Sequence, residues 1–107
     1  MLITLPYVQV GGLAYSVDFI NAFSSSRDNH HFGDNSYENS SIRIARLSCE
    51  GSERPLQVLE VTLLHELIHA VEAAHALEMD EDTVEGLAHG LYQVLKQYGL
   101  QLIRESE

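Results

Sequence analysis

The sequence predicts the α+β fold class, with a small antiparallel sheet of two hairpins followed by two packed helices. Apolar residues alternate with polar ones in the first half of the chain, whereas in the second half they recur at helical spacing over two long stretches without proline. The length of 107 residues, with 45% hydrophobic and 21% charged residues, is typical of one globular domain. We therefore expect residues 1–107 to form a single domain.

The first hairpin is expected between residues 7–10 and 13–19. These two stretches are separated by Gly11-Gly12, a pair that suits a tight turn with positive φ. Residues 21–35 are rich in Ser, Asn, Asp and Gly, and most of them are expected to form a loop. The alternation that predicts the second strand is carried by Leu13, Tyr15, Val17 and Phe19.

A second hairpin is expected to pair residues 32–37 with residues 41–47 across a short turn. In the later strand Ile42 and Ile44 would face the core, and Arg43 would face the solvent. We expect residues 41–47 to lie at the edge of the sheet, just before the first helix.

The first helix is predicted from Leu56 to about Leu77, because this stretch contains neither Gly nor Pro. Ser52 is the expected N-cap, and Pro55 falls in the first turn, where its missing N–H costs little. The apolar residues with helical spacing are Leu59, Leu63, Leu67 and Ala70.

The segment 78–82, in which four of the five residues are acidic, is expected to separate the first helix from a second one. Asp82 would cap this second helix, which is predicted from about Thr83 to Tyr98. Gly99 is well placed to end it.

Charge and composition exclude several classes of protein. The net charge of −10, from 16 acidic and 6 basic side chains, would repel phosphate backbones, so we expect no nucleic-acid partner. No segment approaches the roughly 20 apolar residues of a membrane span, and we expect no membrane association. The first residues lack a secretory signal, and Cys49 has no second cysteine to pair with. We therefore expect a soluble cytoplasmic protein.

One motif points to chemistry: His65-Glu66-Leu67-Ile68-His69, within the first predicted helix. Residues four apart share a helix face, so the two imidazoles can bind one zinc ion while Glu66 reaches the water that the metal activates. The surrounding residues are uncharged, and buried histidines need partners for their ring nitrogens. We therefore predict a zinc site rather than two core histidines.

The third ligand must come from elsewhere in the chain. Glu85 and His89 lie one turn apart on the second predicted helix, and the residues alone leave the choice between them open. His75 lies six residues after His69 and is expected at the surface. The pair His30-His31 lies in a polar stretch and is expected to be solvated.

The two helical segments resemble a known family. HELIHAVE, followed by an acidic loop and VEGLAHGLYQVLKQYG, is similar to the small phage-type zinc metallopeptidase-like proteins, relatives of the ImmA/IrrE group of gluzincin zincins. GGLAYSV looks like the opening strand of that family, and SYENSSIRI looks like the hairpin before the active helix. The resemblance covers most of the chain.

The resemblance implies a third ligand and further site residues. In gluzincins a glutamate on the helix after the motif completes the zinc site, and by position this is Glu85. One turn later several gluzincins have an acid that orients a ligand histidine, whereas this chain has His89. This residue could stabilise an oxyanion, hold a carboxylate beside the metal, or be buried. Tyr92 is a further candidate oxyanion donor, with a core role as the alternative.

The implied function is hydrolysis of a peptide or protein substrate by a zinc-activated water, with Glu66 as general base. Zincins commonly hold the substrate as an added strand at a sheet edge. The alternative is a non-catalytic zinc-binding adaptor or regulatory module, although a purely structural site needs no carboxylate beside the metal. A nuclease conflicts with the negative charge. Exposed strand edges would also permit a homodimer.

Overall fold

A computed structural model describes residues 1–23 and 31–106 of the chain. The predicted α+β class is confirmed, as are both hairpins and both helices. Neither helix of the described residues is long and apolar enough to cross a membrane. The elements in chain order are β1 (Leu2–Ile3), β2 (Tyr7–Val10), β3 (Leu13–Ile20), β4 (Gly33–Ser36), β5 (Ser41–Ala45), α1 (Leu56–Ala74), α2 (Glu81–Gln97) and β6 (Arg104–Glu105).

The main sheet has four strands in the order β2-β3-β5-β4, and β1 pairs separately with β6. The hairpins β2–β3 and β4–β5 are antiparallel, but they join through β3 and β5, which run parallel. A parallel pair needs a long connection, and the chain between β3 and β5, which includes β4, provides it. As a result β5 is an inner strand, and β4 forms the edge. The expectation that residues 41–47 form the edge is therefore wrong.

Buried and exposed side chains alternate along β5 as predicted. Ile42 and Ile44 are fully buried, whereas Arg43 is exposed and pairs with Asp34 on β4. Helix α1 lies against β2, β4 and β5, and α2 packs on α1. The buried apolar cluster between the sheet and α1 consists of Val10, Tyr15, Val17, Ile42, Ile44, Leu59, Leu63, Ala70 and Ile103.

Helix α1 begins where the sequence predicts, but its N-cap is Pro55 rather than Ser52. Pro55 has φ −56° and ψ 147°, the extended conformation of a residue that leads into a helix. The helix ends at Ala74, before the predicted Leu77. Ala76 takes a positive φ of 53°, a left-handed conformation that terminates helices.

Helix α2 begins earlier than predicted. Asp80, not Asp82, is the N-cap, and its side chain accepts a hydrogen bond of 2.7 Å from the backbone N–H of Thr83. The first residue of the helix is therefore Glu81, which lies within the segment predicted to connect the two helices. Gly99 follows the helix with φ 89°, as expected for the glycine that ends it.

A buried carboxylate fixes the C-terminal segment to both helices. Glu60 on α1 is fully buried and accepts hydrogen bonds from the backbone N–H groups of Leu102 at 2.6 Å and Ile103 at 3.0 Å. Its other oxygen accepts from the Tyr92 hydroxyl at 2.6 Å and from Lys96 at 3.2 Å. Burial alone would raise the pKa of Glu60, but these four hydrogen bonds outweigh it and lower the pKa.

Candidate metal centre

The two motif histidines lie one turn apart on α1, with their rings in an edge-to-face arrangement. The Nε2 atoms of His65 and His69 are 3.2 Å apart, and the ring centroids are 4.9 Å apart. Their side chains are 13% and 25% exposed, so the rings border a cleft rather than lie in the core. The helix thus directs both Nε2 atoms towards one point, as the spacing predicts.

Glu81, the first residue of α2, reaches the same point. One carboxylate oxygen lies 2.6 Å from Nε2 of His65, and the other lies 3.2 Å from Nε2 of His69. Among the described residues, His65, His69 and Glu81 form a group whose potential ligand atoms all lie within 4.8 Å of one another.

Two other carboxylates contact the opposite ring nitrogens. Nδ1 of His69 lies 3.1 Å from Glu72, and Nδ1 of His65 lies 3.0 Å from Glu85. A neutral imidazole that donates from Nδ1 has only a lone pair at Nε2. With both rings in this tautomer, two lone pairs and the Glu81 carboxylate face one another, and a cation bound between them would satisfy all three.

The spacing of these atoms fits zinc. Ligand atoms of a tetrahedral zinc ion, each about 2.0–2.1 Å from the metal, lie about 3.3 Å apart. The separation of the two Nε2 atoms, and that between Glu81 and His69, are both 3.2 Å, whereas Glu81 and Nε2 of His65 lie at the hydrogen-bond distance of 2.6 Å and would separate on metal binding. Imidazoles whose second nitrogen donates to a carboxylate are also the usual form of zinc-binding histidines. The residues present therefore fit a zinc ion.

Glu85 and His89 have different positions from those expected of a third ligand. Glu85 contacts Nδ1 of His65, the nitrogen that faces away from His69, and so lies beside the site. Nε2 of His89 lies 2.6 Å from the second oxygen of Glu85. The structure thus pairs His89 with Glu85, and both side chains are largely exposed.

Glu66 lies at the inner wall of the site. The residue is only 8% exposed, and burial raises the pKa of its carboxyl group to about 6, against the opposing influence of the two neighbouring histidines. The strand β4 passes close by, since a Cβ atom added at Gly33 would lie 3.1 Å from Oε2 of Glu66 and 2.8 Å from a methyl group of Thr62. The glycine is therefore required for the close approach of β4 to α1.

The hydroxyl of Tyr92 has a structural partner. It donates a hydrogen bond of 2.6 Å to Glu60, in the network that holds the C-terminal segment. Burial, followed by this contact with Glu60, raises the pKa of Tyr92 to about 12. The ring lines the cleft, but the hydroxyl donates to Glu60 rather than pointing at the histidines. This geometry favours a structural role for Tyr92 over a role as oxyanion donor.

The other histidines differ in position. His75 is the exposed C-cap residue of α1, as expected for a surface histidine. His30 lies outside the described residues. His31 is half-buried, packs edge-on against Phe23 with ring centroids 4.5 Å apart, and lines the cleft, so it is less solvated than expected.

A cleft of about 950 Å³ runs between β4 and the two helices. The site described above opens into it. On the other side the cleft is bounded by the edge strand β4, whose backbone pairs with β5 alone among the described strands. The lining residues include His31, Phe32, Gly33, Asp34, Asn35, Gln57, Val58, Val61 and Thr62, together with the site residues.

Two site residues were missed from the sequence, Glu81 and Glu72. Glu81 forms an i, i+4 acidic pair with Glu85, and recognition of Asp80 as the cap would have included it in the helix. Glu72 lies three residues after His69, a spacing that permits contact on a helix. It also accepts a hydrogen bond from the backbone N–H of Met79, which together with the contact to His69 lowers its pKa.

The mixed sheet, the motif helix and the packed second helix together form a fold that is also found in solved structures. Solved structures with this fold include two crystal structures of Wss1 from Saccharomyces cerevisiae, one of them a mutant, each with a TM-score of 0.54. Sequence identity is 23% and 22%, over 78% and 79% of this chain. At this identity the likeness establishes the fold alone.

This chain spans 62% and 64% of the length of those two Wss1 chains. Neither a family model nor a curated protein matches the sequence. The relationship to the ImmA/IrrE group therefore remains a prediction from the motifs.

Proposed function

We propose that this protein is a zinc-dependent peptidase. The observation that carries the proposal is the convergence of two Nε2 atoms and the Glu81 carboxylate on one point, beside the buried carboxylate of Glu66. A site with three protein ligands and a neighbouring carboxylate is the arrangement of a catalytic zinc site, since structural sites usually have four protein ligands.

His65, His69 and Glu81 would hold the metal in this proposal. Glu81 thus replaces Glu85, the ligand that the family resemblance implied, because the oxygens of Glu81 face both Nε2 atoms. Glu85 would instead orient the ring of His65 through Nδ1. When bound, zinc would polarise the peptide carbonyl and lower the pKa of a water molecule.

Glu66 would act as the general base. Its carboxylate takes a proton from the attacking water and donates it to the nitrogen of the leaving amine. A general base works best when its pKa lies near the pH of the reaction. The pKa of Glu66, about 6, is nearer to neutral pH than the ordinary value of 4.5. Tyr92 has no catalytic part in this proposal, because its hydroxyl donates to Glu60.

The substrate would bind as an extended strand along β4. The N–H of Ala45 donates to the carbonyl of Phe32, so by alternation Asp34 also pairs with β5. Gly33 and Asn35 then direct their N–H and C=O groups into the cleft. A peptide strand at this edge would gain main-chain hydrogen bonds and lie alongside the site.

The test combines metal content with cleavage of a peptide library. The native chain should bind one zinc ion and cleave peptides, and Glu66→Gln should retain the zinc and lose cleavage. Glu78→Gln, an exposed acid in the connection between the helices, is the matched control and should leave both unchanged.

Either of two results would overturn the proposal. A native chain that binds zinc stoichiometrically but cleaves no peptide in the library would be a zinc-binding module without catalysis. Equal cleavage by the native chain and Glu66→Gln would show that Glu66 is not the base.

A further inference from the structure

Glu72 contacts two parts of the structure that must come together to form the metal site. It lies in the last turn of α1, and its side chain is 17% exposed. One carboxylate oxygen lies 3.1 Å from Nδ1 of His69. The other accepts a hydrogen bond of 2.8 Å from the backbone N–H of Met79, two residues before Glu81.

The main chain of Glu72 binds the same connection. Its carbonyl accepts a hydrogen bond of 3.0 Å from the N–H of Leu77, at the point where Ala76 ends the helix with a positive φ. Glu72 thus holds residues 77 and 79 of the six-residue segment 75–80 that joins α1 to α2. This segment sets where α2 begins, and hence where Glu81 lies.

A carboxylate at this position is unfavourable for the helix itself. The C-terminal end of a helix carries a partial negative charge and favours basic side chains, yet α1 has no basic residue in its last turn. The location of Glu72 is therefore explained by its contacts with His69 and Met79 rather than by the stability of α1.

We propose that Glu72 is a positioning residue that couples the orientation of His69 to the placement of Glu81. By accepting from Nδ1 it keeps the lone pair of His69 at Nε2, where the metal would bind. By accepting from Met79 it fixes the connection that delivers Glu81 to the same point. The proposal rests on the metal-binding part of the proposed function and not on catalysis.

A glutamine at position 72 would change the contact with His69 and keep the contact with Met79. Its amide oxygen can still accept from Met79, but its NH₂ group would face His69 and favour the tautomer with the proton on Nε2. Glu72→Gln should therefore keep the fold and weaken zinc binding. Glu72→Ala removes both contacts and should weaken zinc binding further while also lowering the thermal stability of the metal-free protein.

The experiment measures zinc affinity by competition with a chelator, and the tautomer of His69 in the metal-free protein by ¹⁵N NMR of the imidazole. For Glu72→Gln we expect affinity about 10–100-fold weaker at one zinc per chain, as for other residues that orient a metal ligand. We also expect a shift of His69 towards the Nε2–H tautomer. The control Glu78→Gln should match the native chain in both measurements.

Zinc affinity of Glu72→Gln within twofold of the native value, or an unchanged His69 tautomer, would overturn the proposal. If that variant does not fold, Met79→Pro replaces it, because proline removes the amide and leaves the carboxylate on His69. It should keep the tautomer and weaken zinc binding, and native affinity would count against the coupling. A chain that binds zinc as proposed but cleaves nothing would refute catalysis alone, whereas a chain without zinc affinity would refute both proposals.

Discussion

Glu85 contacts the Nδ1 atom of His65 at 3.0 Å, while the Nε2 atom of the same ring lies 2.6 Å from Glu81. The two glutamates lie one turn apart on the same face of α2, and each contacts a different nitrogen of one imidazole. A carboxylate on Nδ1 fixes the ring and its tautomer, whereas a carboxylate beside Nε2 can share a metal ion with it. The two acids thus have different expected effects on metal binding.

The first prediction compares Glu81→Gln with Glu85→Gln. Loss of an orienting carboxylate typically lowers metal affinity by about 10–100-fold, so we expect an effect of this size for Glu85→Gln. Glu81→Gln should lower zinc affinity by more, because a charged ligand is lost. The measurement is a chelator competition at one pH for all variants.

Asp82→Asn is the control for this comparison. Asp82 is exposed in the first turn of α2, between the two glutamates, and its replacement removes the same charge. It should leave zinc affinity within about twofold. A larger loss of affinity for Glu85→Gln than for Glu81→Gln would contradict the assignment and favour Glu85 as the ligand.

The motif histidines and Glu66 could be predicted from the sequence because their relation is local. Residues four apart on a helix share a face whatever the rest of the fold does. The proposed third ligand depends on where α2 begins, because a cap at Asp80 rather than Asp82 brings Glu81 into the first turn of the helix, beside both histidines. The role of Glu72 depends on the path of the connection, which no local pattern describes.

In the fold, too, the local features could be predicted from the sequence and the long-range ones could not. The hairpins and the inward positions of Ile42 and Ile44 follow from alternation and turn residues, and they are as predicted. The order of the strands does not follow from them. Parallel pairing of β3 and β5 is a long-range contact, and it alone makes β4 the strand that borders the cleft.

The second prediction concerns Gly33→Ala. An added Cβ would lie 2.8 Å from a methyl group of Thr62, a stiff β-branched side chain, and 3.1 Å from Oε2 of Glu66. Overpacking of this kind should lower the free energy of unfolding by about 1–3 kcal/mol. Displacement of the base should also lower peptide cleavage by up to about 100-fold. Urea unfolding and a cleavage assay measure the two effects.

Gly90→Ala is the matched control, because a Cβ at Gly90 meets no atom within 4 Å and alanine favours the helix. It should not destabilise the protein. If Gly33→Ala were as stable and as active as the control, β4 would not lie against Glu66 as described.

The third prediction concerns the buried carboxylate of Glu60. Glu60→Gln at neutral pH should lower the free energy of unfolding by about 1.5–3 kcal/mol, because the N–H groups of Leu102 and Ile103 lose a charged acceptor, whereas the partly exposed Lys96 can be solvated by water. The exposed Glu38→Gln should be close to neutral. A loss below about 1 kcal/mol for Glu60→Gln would show that the network contributes little.

The contribution of Glu60 should also depend on pH. Because its pKa in the folded protein is lowered from the ordinary value of 4.5, the carboxylate stabilises the fold fully above pH 4.5. This stabilisation is lost as the pH falls through the folded-state pKa. The difference in urea stability between the native chain and Glu60→Gln should therefore shrink below pH 4.5, and a difference that grows there would contradict the assigned direction.

The last prediction tests substrate binding along β4 with Asn35→Pro. Proline removes the outward N–H of residue 35, and an edge strand tolerates this because the N–H does not bond to β5. Loss of one main-chain hydrogen bond to the peptide should lower kcat/KM by up to about 10-fold, with zinc content and fold unchanged. Asn35→Ala is the control, since it removes the side chain and keeps the N–H, and it should retain native cleavage. Equal kcat/KM for the two variants would place the substrate elsewhere in the cleft.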